Sequence, residues 1–238
     1  MVVSGTDGND CNISYDYTQV VDLNSTSSCS NLKSYPYKLE FASGGILNGS
    51  PTICGGWDDS LYILKSCHIY RKSSNEWIMV SSLKTPRGSF STAVINGSLW
   101  MAGGATYSDE KNVDTNSTEY LLSPKSEIDG PDMPIARSGH CMVTLYDDKV
   151  LIIGGAYQYG KSVLSFDPKN NSFTTAPSLH FKRSYAGCTT FRSSKHDNRS
   201  VVLAAGGVFQ YTAEVLYYAN SKKWETSKHK YPELREYL

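Results

Sequence analysis

Short apolar runs that each end in two glycines recur along the chain at a nearly constant interval. Successive pairs are separated by 48, 51 and 52 residues, and a weaker copy ends at Gly5, 51 residues before Gly56. A short apolar run bounded by turn residues is typical of a buried strand. A repeat of this length indicates one supersecondary unit used several times rather than one continuous core. The pairs are Gly55 with Gly56, Gly103 with Gly104, Gly154 with Gly155, and Gly206 with Gly207.

The residues between two pairs alternate in a way that predicts three further strands. After Gly155 come a loop, an alternating segment over 162–167 and the turn 168–171, which together are typical of a β-hairpin. A basic residue then opens the next unit at Arg87, Arg137 and Arg183, and Lys38 takes this position in the second unit. We name the four strands a to d, with a following the basic residue and b ending at the glycine pair.

Composition agrees with an all-β chain and excludes some functions. The 238 residues include 17 Tyr and 19 Gly, which suits strands joined by polar turns. An apolar run of 18 residues is absent from the sequence, which argues against a membrane-spanning helix in this segment. The formal charge is zero and the basic residues form no long block, so we expect no nucleic-acid partner.

The repeat resembles the kelch repeat in the glycine pair, the following aromatic and the Pro-Arg start of the next unit. Trp77 lies 21 residues after Gly56, Trp224 lies 17 after Gly207, and Phe173 takes this place in the fourth unit. The resemblance implies a single kelch-type β-propeller with four-stranded antiparallel blades over about 1–36, 37–85, 86–134, 135–181 and 182–238. We expect incomplete first and last blades, a third blade with no aromatic on strand d, and a fragment of a longer propeller.

The repeated positions have expected structural roles. Glycine after strand b permits positive φ and a close approach of the next blade, and Trp77 and Trp224 are expected to be buried between adjacent sheets. For the arginines, hydrogen bonds to loop carbonyls between blades are favoured over ligand binding.

A binding rim is the remaining functional hypothesis. In an antiparallel meander, the start of strand a and the end of strand b lie at the same end of the sheet. Aromatic side chains beside arginines have the composition of a protein-binding hot spot, although they are equally consistent with loop packing. The hypothetical rim consists of Arg87, Arg137, Arg183, Trp57, Tyr107, Tyr157, Tyr159, Phe209 and Tyr211.

The six cysteines allow a limited set of disulfides. Cys54 and Cys67 are expected to face each other across strands b and c, so a disulfide and two buried thiols are equally consistent. Cys11 and Cys29 are a second possible pair within the first blade. Cys141 and Cys188 are expected on strands a of adjacent blades, too far apart to bond.

Seven glycosylation sequons, against roughly three expected by chance, favour an extracellular or secreted protein. A cytoplasmic location is the alternative, because a Ser-rich loop protein also makes sequons by accident. The opening residues do not form a signal peptide, and they indicate that the natural N-terminus is missing. The sequons begin at Asn12, Asn24, Asn48, Asn96, Asn116, Asn170 and Asn198.

Motifs for catalysis are not found, and we expect neither a metal nor a cofactor. The five histidines fall at different repeat positions without metal-ligand spacing, and Asp58 with Asp59 is interpreted as a solvated turn. The first hypothesis is therefore a non-enzymatic module that binds another protein. Two alternatives stay open: the substrate-recognition propeller of an intracellular BTB-kelch ubiquitin-ligase adaptor, and a kelch-like enzyme of the oxidase or sialic-acid epimerase type.

Overall fold

The chain folds into consecutive antiparallel β-sheets. A computed structural model describes residues 2–6, 14–20, 30–108, 111–123, 126–194, 199–208, 210–218 and 223–230. Within these residues the elements are β-strands together with a 3-10 helix at Tyr157–Tyr159. The expected all-β class and the four-stranded blade are therefore confirmed.

Five sheets follow one another, and we call them blades 1 to 5. Blade 1 contains β1 (Val2–Thr6), β2 (Ser14–Val20) and β3 (Ser30–Asn31). Before blade 2, β4 (Leu39–Glu40) pairs with β7 (Trp57–Asp58). Blade 2 contains β5 (Ser43–Leu47), β6 (Ser50–Cys54), β8 (Ser66–Arg71) and β9 (Glu76–Ser82).

The later blades repeat this order. Blade 3 contains β10 (Ser91–Ile95), β11 (Ser98–Ala102), β14 (Thr118–Ser123) and β15 (Ser126–Asp129), and its loop holds the hairpin β12 (Ala105–Ser108) and β13 (Lys111–Asp114). Blade 4 contains β16 (Cys141–Thr144), β17 (Val150–Ile153), β18 (Val163–Asp167) and β19 (Ser172–Ala176). Blade 5 contains β20 (Gly187–Ser193), β21 (Arg199–Ala205), β22 (Thr212–Tyr217) and β23 (Glu225–Lys230).

Local sequence determines where these strands end. The b strands of blades 2 to 5 all stop one residue before a glycine pair. The a–b turn of blade 2 is Asn48 (φ 50°) with Gly49 (φ 76°), and that of blade 3 is Asn96 (φ 49°) with Gly97 (φ 77°). Positive φ at both central residues matches the right-handed twist of the flanking strands, so Asn-Gly is well suited to this tight hairpin.

The hydrophobic core lies between the blades rather than within them. One cluster joins blades 2 and 3, a second joins blades 3 and 4, and a third joins blades 4 and 5. Between blades 3 and 4, Trp100 stacks on Phe166 with ring centroids 4.4 Å apart. Trp100 lies on β11 and is fully buried, so blade 3 has a large aromatic at this interface although its strand d has none.

The two tryptophans of the repeat each bind the preceding blade. Trp77 is 9% exposed, and its indole N–H donates to Thr18 Oγ1 of blade 1 over 3.1 Å. Trp224 is fully buried and donates to the Pro177 carbonyl, which follows blade 4, over 2.8 Å. Each indole therefore adds a directional bond to an otherwise apolar interface.

Both cysteine pairs within the described residues form disulfides. Cys54 and Cys67 face each other across β6 and β8 with Cα atoms 4.1 Å apart, as the alignment predicted. Cys141 and Cys188 are also bonded, with Cα atoms 6.0 Å apart, so the expectation that they lie too far apart is wrong. The a strands of adjacent blades pack directly on one another, which brings these residues within bonding range. Cys11 and Cys29, the other suggested pair, are outside the described residues.

The same contact between a strands occurs in a polar form at the interface of blades 2 and 3. There Ser43 Oγ and Thr92 Oγ1 are hydrogen-bonded at 3.0 Å. By strand register, Ser43 corresponds to Cys141 and Thr92 to Cys188. Sequence reasoning missed this link because its two residues are 49 positions apart.

Candidate binding surface

The glycine pairs attach each blade to the start of the next one. The second glycine of a pair donates its N–H to the carbonyl of the following arginine, as Gly104 does to Arg137 over 2.8 Å and Gly155 to Arg183 over 2.9 Å. A Cβ on the first glycine, such as Gly154, would collide with that carbonyl oxygen. Both glycines also have positive φ, so this seam between blades strongly disfavours any other residue. The remaining pairs, Gly55 with Gly56 and Gly206 with Gly207, have positive φ as well.

The arginine side chains of the hypothetical rim lie inside the protein. Arg87, Arg137 and Arg183 are at most 1% exposed. Arg87 donates to the Gly103 carbonyl over 2.7 Å and to Glu119 over 2.6 Å. Gly103 directly follows strand b of blade 3, and Glu119 lies on strand c of the same blade. The side chain therefore joins strands within a blade, rather than bonding between blades, whereas its backbone carbonyl joins two blades.

Blade 2 differs from the expected pattern at the arginine position. Four residues form a series in which the N–H of each later member donates to the carbonyl of the member before it. In chain order they are Phe41, Ser89, Gly139 and Tyr185. All four have positive φ, and each arginine lies two positions before its member. The residue two positions before Phe41 is Leu39, which is buried, so Lys38 does not take the arginine position. The assignment of Lys38 to the arginine position, made from sequence spacing, was therefore wrong by one residue.

This series places aromatic rings of distant blades in contact. The Tyr185 and Phe41 ring centroids are 5.4 Å apart, and the Tyr185 hydroxyl donates to Ser89 Oγ over 3.2 Å. Blades 2, 3 and 5 therefore meet at the starts of their a strands. The Tyr185–Ser89 and Tyr185–Phe41 contacts join residues 96 and 144 positions apart, which is why no local pattern revealed them.

Three aromatics of the hypothetical rim are exposed. Tyr157 is 84% exposed, and Tyr107 and Tyr211 are each a little over 40% exposed. Trp57 and Tyr159 are half-buried: Trp57 packs near the Tyr107 ring, and Tyr159 lies over the Arg137 guanidinium at 5.8 Å. Phe209 lies outside the described residues. The exposed part of the rim is therefore aromatic rather than basic.

Two further residues, which sequence reasoning missed, extend this surface. Leu61 and Tyr62 follow the glycine pair of blade 2 and are 68% and 66% exposed. The Asp58 carboxylate accepts the N–H of Tyr62 over 2.9 Å and so shapes the turn, while Tyr107 donates its hydroxyl to the Leu61 carbonyl over 2.7 Å. The available signal was their position in the loop that follows a glycine pair, the criterion that selected Trp57. We call Leu61, Tyr62, Tyr107, Tyr157 and Tyr211 the b–c loop surface.

The four sequons within the described residues differ in accessibility. Asn48, Asn96 and Asn170 are exposed in a–b or c–d turns. Asn116 is half-buried in a b–c loop, where its amide donates to the Met133 carbonyl over 3.1 Å. Since that amide nitrogen is the atom a glycan would join, Asn116 is a poor acceptor. Asn12, Asn24 and Asn198 are outside the described residues.

The histidines of the described chain are in separate environments. His68 accepts or donates a 3.0 Å bond with the Tyr35 hydroxyl, and burial lowers the pKa of His68 below its usual value. Burial and the neighbouring Arg137 charge lower the pKa of His140 to about 3. Among the residues described, no three His, Cys, Asp or Glu side chains group together as metal ligands would. Nor does the described part of the chain contain a helix suited to crossing a membrane.

Comparisons with known proteins support this architecture. No protein-family model matches the chain. It is 30% identical to alpha-scruin of Limulus polyphemus over 105 residues, which are 43% of this chain and 11% of alpha-scruin. It is 27% identical to Kelch-like protein 35 of Mus musculus over 191 residues, which are 62% of this chain and 33% of that protein. The chain thus spans at most a third of the length of the curated relatives it matches.

A solved structure matches nearly the whole fold. The structure of YjhT superimposes with a TM-score of 0.78 at 14% identity, covering 99% of this chain and 85% of YjhT. At this identity the likeness concerns the fold alone. Together with the in-phase glycine pairs, it accounts for the consecutive four-stranded blades described above.

Proposed function

We propose that this chain, a kelch-repeat β-propeller, is a non-enzymatic module that binds another protein outside the cell through its b–c loop surface. The observation that carries the proposal is Tyr157. It is 84% exposed and has φ of 56°, a conformation that costs a non-glycine residue about 1–2 kcal/mol. The backbone of Tyr157 is strained and its ring gains little from burial in its own chain. Contact with a partner explains such a residue better than packing does.

The neighbouring loops support the same interpretation. Leu61 also has positive φ (62°) while its side chain is 68% exposed. The hydrogen bonds from Tyr107 to Leu61 and from Tyr62 to Asp58 hold this loop in one conformation. Preformed, exposed aromatic and aliphatic side chains bind a partner with little loss of conformational entropy.

Accessible sequons lie at the opposite end of the sheets. Asn48 and Asn96 are in a–b turns and Asn170 is in a c–d turn, whereas the b–c loop surface is at the other end of the same strands. Glycans on these three residues would cover one end of the molecule and leave the b–c loop surface free. This arrangement is consistent with an extracellular module that binds its partner with the b–c end.

The disulfides favour the same compartment. Cys54–Cys67 and Cys141–Cys188 are each formed, and structural disulfides persist mainly in oxidising environments. Thiol labelling and mass spectrometry of protein from its natural source test this point. Free thiols at all four positions would instead favour the intracellular adaptor.

A display experiment tests the binding function. The full chain is used to select peptides or domains from a displayed library of extracellular proteins, and dissociation constants are then measured. We expect Tyr157→Ala and Tyr62→Ala to weaken binding by about 5- to 150-fold, the equivalent of roughly 1–3 kcal/mol. Ile128→Ala is the matched control, because Ile128 is 47% exposed on strand d, away from the b–c loops. Equal loss with the control, or no loss with the tyrosines, would exclude the b–c loop surface.

A further inference from the structure

Two buried arginines of the repeat are each neutralised by a glutamate on strand c. Arg87 is bonded to Glu119 at 2.6 Å, and Arg183 to Glu214 at 3.1 Å, with all four side chains at most 2% exposed. Glu119 and Glu214 are paired with the strand b residue that lies two positions before the glycine pair. The equivalence of the two ion pairs therefore follows from register as well as from contacts.

Each glutamate also accepts two backbone N–H groups from the segment before its arginine. Glu119 accepts those of Lys84 (2.7 Å) and Thr85 (3.1 Å). Glu214 accepts those of His180 (2.7 Å) and Phe181 (3.3 Å). Each carboxylate is thus surrounded by a guanidinium and by donors that satisfy its remaining lone pairs, as a buried ion pair requires.

Blade 4 contains the arginine but not the glutamate. The residue that pairs with Ile152, two positions before Gly154, is Leu164. One of the two backbone donors is also missing, because the position equivalent to Lys84 and His180 is Pro134, which has no N–H. Blade 4 therefore has a buried cation in the place where blades 3 and 5 have a neutral pair.

Arg137 has few partners of its own. Its Nη1 donates to the Gly154 carbonyl over 3.0 Å, while Nε and Nη2 are buried and have no hydrogen-bond partner among the described residues. The Nε of Arg87 has none there either, so Nη2 is the donor that distinguishes blade 4. Burial lowers the pKa of Arg137 to about 10, so the guanidinium remains charged at neutral pH. The Tyr159 ring, 5.8 Å from the guanidinium carbon, supplies a weaker attraction than a carboxylate would.

His140 adds a second group with unused hydrogen-bonding capacity nearby. The Cβ atoms of Arg137 and His140 both lie 3.7 Å from the position that a Cβ on Gly155 would occupy. The ring is buried and neutral at pH 7, and the Ala102 backbone partly opposes the lowering of its pKa. Neither ring nitrogen forms a hydrogen bond of ordinary geometry with the part of the chain that the structure describes. A neutral imidazole has one N–H to donate.

We propose that Arg137 binds a small inorganic anion, such as chloride, that replaces the missing glutamate in blade 4. Burying an isolated charge is much more costly than burying a paired one, and the unused donors Nε and Nη2 are suited to an anion rather than a cation. The complete burial of Arg137 limits the ligand to one of a few atoms. This inference concerns the interior of blade 4 and does not depend on the proposed binding function.

Thermal unfolding of the full chain in sodium chloride and in sodium gluconate of equal ionic strength tests the proposal, since gluconate is too large for the site. We expect Tm to rise with chloride by about 3–5 °C for each tenfold increase above the dissociation constant. Leu164→Glu supplies the missing carboxylate, and Arg137→Met removes the cation, so both variants should lose the chloride dependence. Leu164→Met is the matched control that changes shape but not charge, and it should keep the dependence.

Anomalous diffraction from wild-type crystals grown in sodium bromide locates the ion and does not depend on the folding of any variant. A bromide peak within hydrogen-bonding distance of the Arg137 guanidinium is the expected result. Equal melting temperatures in chloride and gluconate, or the absence of that peak, would overturn the proposal and indicate that buried water satisfies the guanidinium.

Discussion

The arginine side chains and the exposed tyrosines lie at the same end of the blades, but they contact different surroundings. Arg87 and Arg183 are buried in ion pairs that hold strands b and c together. Tyr157 and Tyr62 are exposed on loops that leave the same strand ends. The comparison shows that one repeat supplies both a buried polar network and an exposed aromatic surface. Mutations should therefore separate the two by whether they alter stability or binding.

The largest effect is expected from the seam itself. Gly154→Val places a β-branched side chain at φ of 70° and against the Arg183 carbonyl, so we expect a loss of more than about 3 kcal/mol in the free energy of unfolding. Gly97→Ala is the control, since Gly97 has φ of 77° but no atom within 4 Å of its added Cβ. It should cost about 1 kcal/mol in denaturant titrations. Equal losses would show that strain, not contact between blades, excludes other residues from the pair.

The buried ion pairs within the blades come next in size. Glu119→Gln leaves the Arg87 charge buried without its counter-ion, and we expect a loss of about 3–5 kcal/mol in the free energy of unfolding. Lys84→Met removes the exposed Lys84–Asp129 pair, also 2.6 Å long, and should cost less than about 1 kcal/mol. Chemical denaturation measures both. Similar losses for the two would contradict the structural importance of burial.

A pH-dependent effect is expected from the buried His140 at the start of blade 4. The pKa of His140 falls from 6.5 to about 3 on folding. Between these pH values the imidazole is therefore protonated in the unfolded chain and neutral in the folded chain. The stability present above pH 6.5 is therefore lost progressively as the pH falls towards 3, by roughly 2–3 kcal/mol between pH 6.5 and 4.5. In His140→Gln this slope should decrease, with His68 contributing to what remains. An unchanged slope would assign the acid sensitivity to other groups.

The smallest stability effect, and the sharpest contrast, is expected on the external surface. Tyr157→Gly removes the strain of a positive φ, and we expect the free energy of unfolding to rise by up to about 1 kcal/mol. Partner binding should weaken at the same time. Calorimetry and a binding titration of the same variant measure the two effects. A destabilised variant would show that Tyr157 packs its own loop.

The sequence pattern predicted the strands and their ends well, because these depend on neighbouring residues. Strand b of blades 2 to 5 ends where a glycine pair begins, as the repeat predicted. It also predicted that Cys54 and Cys67 face each other, because these residues are 13 positions apart on paired strands, but it left a disulfide and two buried thiols equally open. The rim was harder to predict, since the pattern distinguishes which end of a sheet a residue occupies but not whether its side chain points inward. The arginine side chains point inward and Leu61 points outward, although all of them lie at the same end of the sheets.

The sequence by itself thus determined the repeat, the all-β class and the positions where only glycine fits, because each follows from periodicity and backbone sterics. Only the tertiary structure decided which equivalent residues meet across blades. Cys141 reaches Cys188, 47 residues away, because the a strands of blades 4 and 5 pack side by side. Tyr185 reaches Ser89, 96 residues away, because the segments before the a strands meet across blades. The strand register likewise showed that Arg137 lacks the carboxylate partner of the other arginines, because Leu164 occupies the position where blades 3 and 5 have glutamate.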